Sequence, residues 1–189
     1  MNSRTIGIVA FALMIASCAT TVWAQVRCDS FYPTDSLWTG WVDWNGGMPI
    51  KYNDTIKWSE AVRGWSYWQV GTWPTNTDSV VLYYDEFYNY GNYTADLYWK
   101  NGVNPISRQA SQLYPDLGSG YYLGTKTDAT GWLRFTFPPP DSWPQLQKQS
   151  RVLVGWCGDN ASPAGVYGKA YGYTGNSGTH KPLLCIFYH

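Results

Sequence analysis

The stretch that most constrains the fold runs from Arg63 to Tyr84. It reads Arg63-Gly64-Trp65-Ser66-Tyr67-Trp68-Gln69-Val70, then Gly71-Thr72-Trp73-Pro74-Thr75-Asn76-Thr77-Asp78, then Ser79-Val80-Val81-Leu82-Tyr83-Tyr84. Aromatic and β-branched residues favour pleated backbone, and the Gly/Pro/Asn/Asp block between the two runs breaks it. The segment therefore predicts two strands joined as a hairpin. Side chains alternate across a strand, so Ser66, Trp68 and Val70 share one side, as do Val80, Leu82 and Tyr84. Both rows predict the inner face of a β-sandwich, leaving Trp65, Tyr67 and Tyr83 on the outward parity.

The last third repeats this pattern. Leu133, Phe135 and Phe137 alternate on one face until Pro138-Pro139-Pro140, which cannot donate to a ladder, ends the run. Val152, Val154 and Trp156 predict another inward row. Tyr167, Lys169, Tyr171 and Tyr173 share a parity opposite Val166, Gly168, Ala170 and Gly172, which predicts a tyrosine ladder above a tightly packed face. The final run puts Leu184, Ile186 and Tyr188 on one side and Leu183, Cys185 and Phe187 on the other. Its outer face is thus also apolar and needs cover from another segment or another molecule.

Shorter strands are expected over Leu37–Trp44, Thr55–Ser59, Ala95–Lys100 and Tyr121–Gly124, with Asn101-Gly102 as a turn. Helical turns are expected only at Pro105–Gln112 and, capped by Ser142, at Asp141–Lys148. The Tyr/Asn-rich segment Asp85–Thr94 has two readings: a loop that presents phenols and amides together, or an aromatic-rich strand and turn. The fold class that follows is an all-β, antiparallel sandwich of jelly-roll type with one or two short helical turns.

Composition narrows the function. Thirteen basic residues balance 13 acidic ones with no basic block, which argues against nucleic acid. The chain has 12 Trp and 16 Tyr, more than one core can hide when each such ring buries roughly 150–250 Å². Some must lie at the surface. At the N-terminus a single positive charge, the apolar run Ile6–Ala16 and Val22-Trp23-Ala24 predict a signal peptide over residues 1–24, too short for a membrane span, with one domain from Gln25 to His189. Ile15-Ala16-Ser17-Cys18 also fits a lipobox, which would place a lipid anchor at Cys18. Either reading sends the chain out of the cytosol.

Cys28, Cys157 and Cys185 are then left in an oxidising compartment, where one disulfide and one spare thiol is the natural count. Cys185, on the last strand, is the expected member of the bridge, and its partner stays open. Nothing in the spacing of Cys and of the two histidines, His180 and His189, suggests zinc. Asp85 and Glu86 are adjacent and so point to opposite faces of a strand, which does not make the paired carboxylates of a glycosidase. The chain is not expected to be an enzyme.

The Arg-Gly-aromatic strand at Arg63, the Trp73-Pro74 turn, the Val80-x-Leu82-x-Tyr84 strand, Gly131-Trp132-Leu133-Arg134-Phe135, Val152–Trp156 and Lys181–Tyr188 together resemble the DNRLRE-type, carbohydrate-binding-module-like jelly rolls of secreted microbial proteins. The resemblance covers roughly residues 60 to 189 and implies a jelly roll. It also brings structural calcium into consideration, with Asp29, Asp35, Asp141 and Asp159 as loop acids, but no EF-hand spacing is present and metal is left unassigned. Polysaccharide is the expected partner, since sugar rings stack on aromatic rings. The candidate surface is Arg63, Trp65, Tyr67, Tyr83, Tyr88 and Tyr90. The other reading is a structural or adhesive subunit that joins copies of itself at the cell surface or in a filament.

Overall fold

The computed structural model describes residues 26–44, 48–90, 94–126, 129–138, 150–158 and 167–189. These residues form two six-stranded antiparallel sheets. The strands are β1 (Arg27–Phe31), β2 (Thr39–Asp43), β3 (Ile50–Asn53), β4 (Ile56–Trp58), β5 (Val62–Gln69), β6 (Thr77–Tyr90), β7 (Ala95–Lys100), β8 (Tyr121–Lys126), β9 (Gly131–Thr136), β10 (Arg151–Gly158), β11 (Tyr167–Ala170) and β12 (Leu183–Tyr188), with helices α1 (Ala110–Leu117) and α2 (Gly175–Gly178). One sheet runs β3-β2-β5-β10-β7-β8. The other runs β1-β12-β6-β11-β4, with β9 against β6 as well. Most successive strands change sheet, which is jelly-roll connectivity.

The expected hairpin is not one. β5 belongs to the first sheet and β6 to the second, so the Gly/Pro/Asn block is an arch across the sandwich. The reason is visible in the parity: Trp68, Val70, Val80, Leu82 and Tyr84 all enter one core cluster, and two inward rows meet face to face rather than side by side. Trp58, Trp68, Trp99 and Trp156 are buried in the same cluster. Trp156 stacks on Trp58 at 5.3 Å, takes the edge of Tyr84 at 4.9 Å, and donates its indole N–H to Ser66 Oγ at 3.0 Å. The inward rows of β9, β10 and β12 fall as expected, on Leu133 and Phe135, on Val152, Val154 and Trp156, and on Leu184 and Ile186.

A charged pair lies inside this core. Glu86 of β6 and Lys126 at the end of β8 form an ion pair, with side chains 0% and 1% exposed. The ammonium also lies 4.5 Å from the ring centre of Trp58 and 5.8 Å from that of Tyr84. Burial, and next the charge of Glu86, hold the Tyr84 phenol above its usual ionisation range.

A second apolar cluster covers the outer side of the first sheet. Val42, Trp65, Tyr67, Val103 and Leu153 pack under Leu113 and Leu117 of α1. The helix thus starts and ends later than the expected Pro105–Gln112 and includes Pro115. Proline removes one helical hydrogen bond, but Leu113 and Leu117 are four residues apart and share a face, and their burial offsets that cost. Close approach is possible because residue 155 is glycine: a Cβ there would sit 2.1 Å from the Leu117 carbonyl oxygen. The expected turn at 141–148, with Asp141, lies outside the described residues, as do the signal segment, Cys18 and Asp159.

Candidate functional site

β6 runs on to Tyr90, so the Tyr/Asn-rich segment is strand as far as that residue. One irregularity in it builds the site. Against β11, Lys169 pairs with Tyr88 and Ala170 with Glu86, so Phe87 is an extra residue, a β-bulge. Without the bulge Phe87 and Tyr88 would face opposite ways. With it both face outward, 41% and 38% exposed.

A second feature adds rings. β11 and β12 pair with successive parts of β6, and both run antiparallel to it, so residues 171–182 between them form an excursion. Its start is tied down: the Tyr171 amide donates to the Asp85 carbonyl at 2.9 Å and the Thr174 amide to Asp54 Oδ1 at 2.7 Å. The Tyr173 amide donates to Thr39 Oγ1 at 3.1 Å, and that hydroxyl donates to the Asp54 carbonyl at 2.7 Å. Gly172 passes so close to this turn that a Cβ would lie 1.1 Å from the Asp54 carbonyl oxygen. Towards the end of the excursion His180 Nδ1 meets the Asp85 carboxylate.

The result is a row of rings on the outer face of the β6 sheet. Trp132 of β9, 54% exposed, stacks on His180 at 5.6 Å with an interplanar angle of 22°. His180 meets Tyr171 at 5.1 Å, and Tyr171 meets Phe87 at 4.4 Å. Tyr88 continues the row beside Phe87 and stacks on Tyr167 at 5.1 Å. Its phenol is held above its usual ionisation range, chiefly by a hydrogen bond with Tyr167. Tyr90, paired with Tyr167, is 59% exposed. Rings already fixed by neighbours lose little freedom when a ligand stacks on them.

The six expected binding residues do not share one surface. Tyr83, Tyr88 and Tyr90 lie on the outer face of β6, with Tyr83 half-buried beside Arg134. Trp65 and Tyr67 do point away from the sandwich interior, but α1 covers them and they are 0% and 3% exposed. Neither offers a stacking face. Arg63 is on the same side as these two; its guanidinium donates to the Tyr114 carbonyl at 2.9 Å and lies 4.2 Å over the Tyr114 ring. Trp132, Phe87, Tyr167, Tyr171 and His180 complete the row. The outward parity of Tyr167 and Tyr171 was readable in the sequence; the bulge at Phe87 and the return of His180 were not.

Among the described residues, Cys28, Cys157 and Cys185 are unbridged. Ser30 pairs with Cys185 and Cys28 with Phe187 across β1 and β12, which makes Cys28 and Cys185 diagonal neighbours. Ser30 Oγ lies 3.9 Å from Cys28 Sγ and 3.7 Å from Cys185 Sγ. The Cys185 thiol is pushed up mainly by burial; Ser30 lowers it and hydrogen bonding with Cys28 raises it. Cys157 lies elsewhere, against the Leu117 carbonyl at 3.5 Å. Among the described residues no group of three His, Cys, Asp or Glu side chains is placed to hold a metal, and no helix is long and apolar enough to cross a membrane.

No protein-family model matches the chain, and no curated protein is significantly similar to it. The likeness to DNRLRE-type jelly rolls rests on its motifs alone.

Proposed function

We propose that this chain is a secreted, non-catalytic module that binds extracellular polysaccharide along the outer face of the β6 sheet. The observation that carries the reading is the row Trp132, His180, Tyr171 and Phe87, in which each ring touches the next, continued by Tyr88 stacked on Tyr167, with Trp132, Phe87 and Tyr88 exposed. Sugar rings present apolar faces to such rings, and the neighbouring Arg134 and lysines can take hydroxyls. A Cys28–Cys185 disulfide, clamping β1 to β12, belongs to the same proposal, since secretion would supply the oxidising conditions.

The test is retention of the chain from Gln25 to His189 on a panel of insoluble polysaccharides, with its mass in solution measured on the same sample. Retention of a monomer on at least one glycan supports the reading. No retention, together with high-mass species, would replace it with the self-assembling subunit, for which the outer edge of β1 in its sheet is the place to add a strand.

A further inference from the structure

Two lysines stand at one end of the aromatic row in an arrangement that needs explaining. Lys57 of β4 and Lys169 of β11 are directly opposite each other across the two strands. Like charges in that position are destabilising. No ion pair joins either of them to a carboxylate among the described residues; the ion pairs there engage Lys100, Arg108, Lys126, His180 and His189.

Both ammonium groups lie against aromatic rings instead. Lys57 Nζ is 4.6 Å from the Trp41 ring centre and 4.7 Å from that of Tyr167. Lys169 Nζ is 5.1 Å from the same Tyr167 ring and 5.5 Å from Tyr88. One tyrosine thus carries two cations, and that tyrosine stacks on Tyr88 of the binding row. Trp41 extends the wall on the far side, stacked on Tyr52 at 4.0 Å. Burial, and next the charge of Lys169, push the Lys57 ammonium towards easier deprotonation, with Asp43 opposing. Of the acids around the pair, Asp43 attracts Lys57 through space and offsets part of the repulsion, Asp85 meets His180, and Asp54 accepts from Thr174. The chain as a whole is charge-balanced, so this excess is local.

An anion placed between Lys57 and Lys169 would relieve their repulsion and gain charge-assisted hydrogen bonds from both. From this geometry we infer that the polysaccharide is acidic, and that Lys57 and Lys169 take a carboxylate or sulfate ester on a sugar whose neighbours stack along Tyr88 and Phe87. This inference rests on the proposed function and narrows it to anionic glycans.

The experiment measures binding of the Gln25–His189 chain to four probes: polygalacturonate, its methyl-esterified form, a sulfated galactan and a single-stranded oligonucleotide. Each is tested with wild type, Lys57→Gln/Lys169→Gln and Trp132→Ala, and melting curves confirm folding. The lysine variant should stay folded, because the like-charge repulsion it loses offsets the ring contacts that go with it. It should bind the acidic glycan about tenfold or more weakly, as expected for lost charge-assisted contacts. Wild type should prefer polygalacturonate to its methyl ester or, where the anion is a sulfate ester, the sulfated galactan over both. Trp132→Ala should weaken every glycan that binds. Equal binding of charged and methyl-esterified forms, unchanged in the lysine variant, overturns the inference and leaves the polysaccharide reading standing. Lysine-dependent binding of the oligonucleotide with no glycan retained, or no binding at all, overturns both.

Discussion

Removing the positive half of the buried Glu86–Lys126 pair should be among the most costly single changes in the protein. Both side chains are essentially inaccessible, so water cannot take over the role of Lys126. Lys126→Met keeps most of the aliphatic stem beside Trp58 and Tyr84 but leaves Glu86 as a buried carboxylate without its ammonium counter-charge. Breaking such a pair from one side costs about 3–5 kcal/mol, a large share of the roughly 5–15 kcal/mol that holds a domain together. With a urea slope of about 2 kcal/mol/M, the midpoint should fall by roughly 1.5–2.5 M. Glu86→Gln in the same chain removes the stranded charge while its side-chain oxygen can still accept from Asn89 Nδ2, which lies 2.6 Å from Glu86 Oε1. The double variant should therefore recover about 2 kcal/mol or more relative to the sum of the single losses. A double-mutant cycle by urea denaturation decides it. A Lys126→Met loss under about 1 kcal/mol, or single losses that simply add, would refute the idea that the pair is held together by burial.

Further consequences concern the cysteines and the helix. Incubating the chain with oxidised glutathione should join Cys28 to Cys185 by thiol–disulfide exchange and raise stability by about 2–4 kcal/mol, read as a higher urea midpoint. A Cys28→Ser variant that gains as much would show that these two are not partners. The Cys157 thiol is pushed up to about 12, mainly by burial and against the pull of Arg63. The folded chain keeps this proton where the unfolded chain releases it, so the contribution is intact below about pH 9 and is lost as pH rises towards 12. Cys157→Ala should accordingly show a shallower fall in melting temperature than wild type between about pH 9 and pH 11, and an equal slope would count against the assignment. Gly155→Ala should loosen α1, because the added carbon meets backbone rather than a flexible side chain. Faster amide exchange over Ala110–Leu117 is the readout, and unchanged exchange would contradict the packing argument.

How far the sequence could be read depended on which contacts were local. Alternation alone placed Trp68, Val80, Leu82, Tyr84, Val154 and Trp156 in the core, because strand parity is a property of consecutive residues. Whether β5 and β6 pair or face one another is decided by the whole set of inward rows, and the arch sequence is equally compatible with a tight turn. Trp65 and Tyr67 were assigned the correct face and the wrong exposure, since what covers them is a helix more than forty positions further along the chain. Only the first residues of that helix, Ala110 to Gln112, fell within the expected helical turn; its second half was hidden by Pro115, whose local cost is outweighed by burial against β5 and β10. At the site, a tyrosine ladder was legible in Tyr167 and Tyr171. The bulge at Phe87 was not, because it is a relation between β6 and β11 that no single run of residues contains. His180 reaches Trp132 and Asp85 only through the excursion between β11 and β12, so its place in the row is likewise a tertiary fact.

The central claim is that the outer face of the β6 sheet, and not aromatic surplus in general, is where the glycan binds. Its most direct test compares two exposed aromatics in different sheets: Trp132 in the row and Tyr122 on β8, 54% and 49% exposed. Polysaccharide retention should fall about tenfold or more for Trp132→Ala, as for the loss of one stacked ring and its immobilised neighbours. Tyr122→Ala should be retained like wild type. Equal loss in the two variants, or loss only in Tyr122→Ala, would contradict the account.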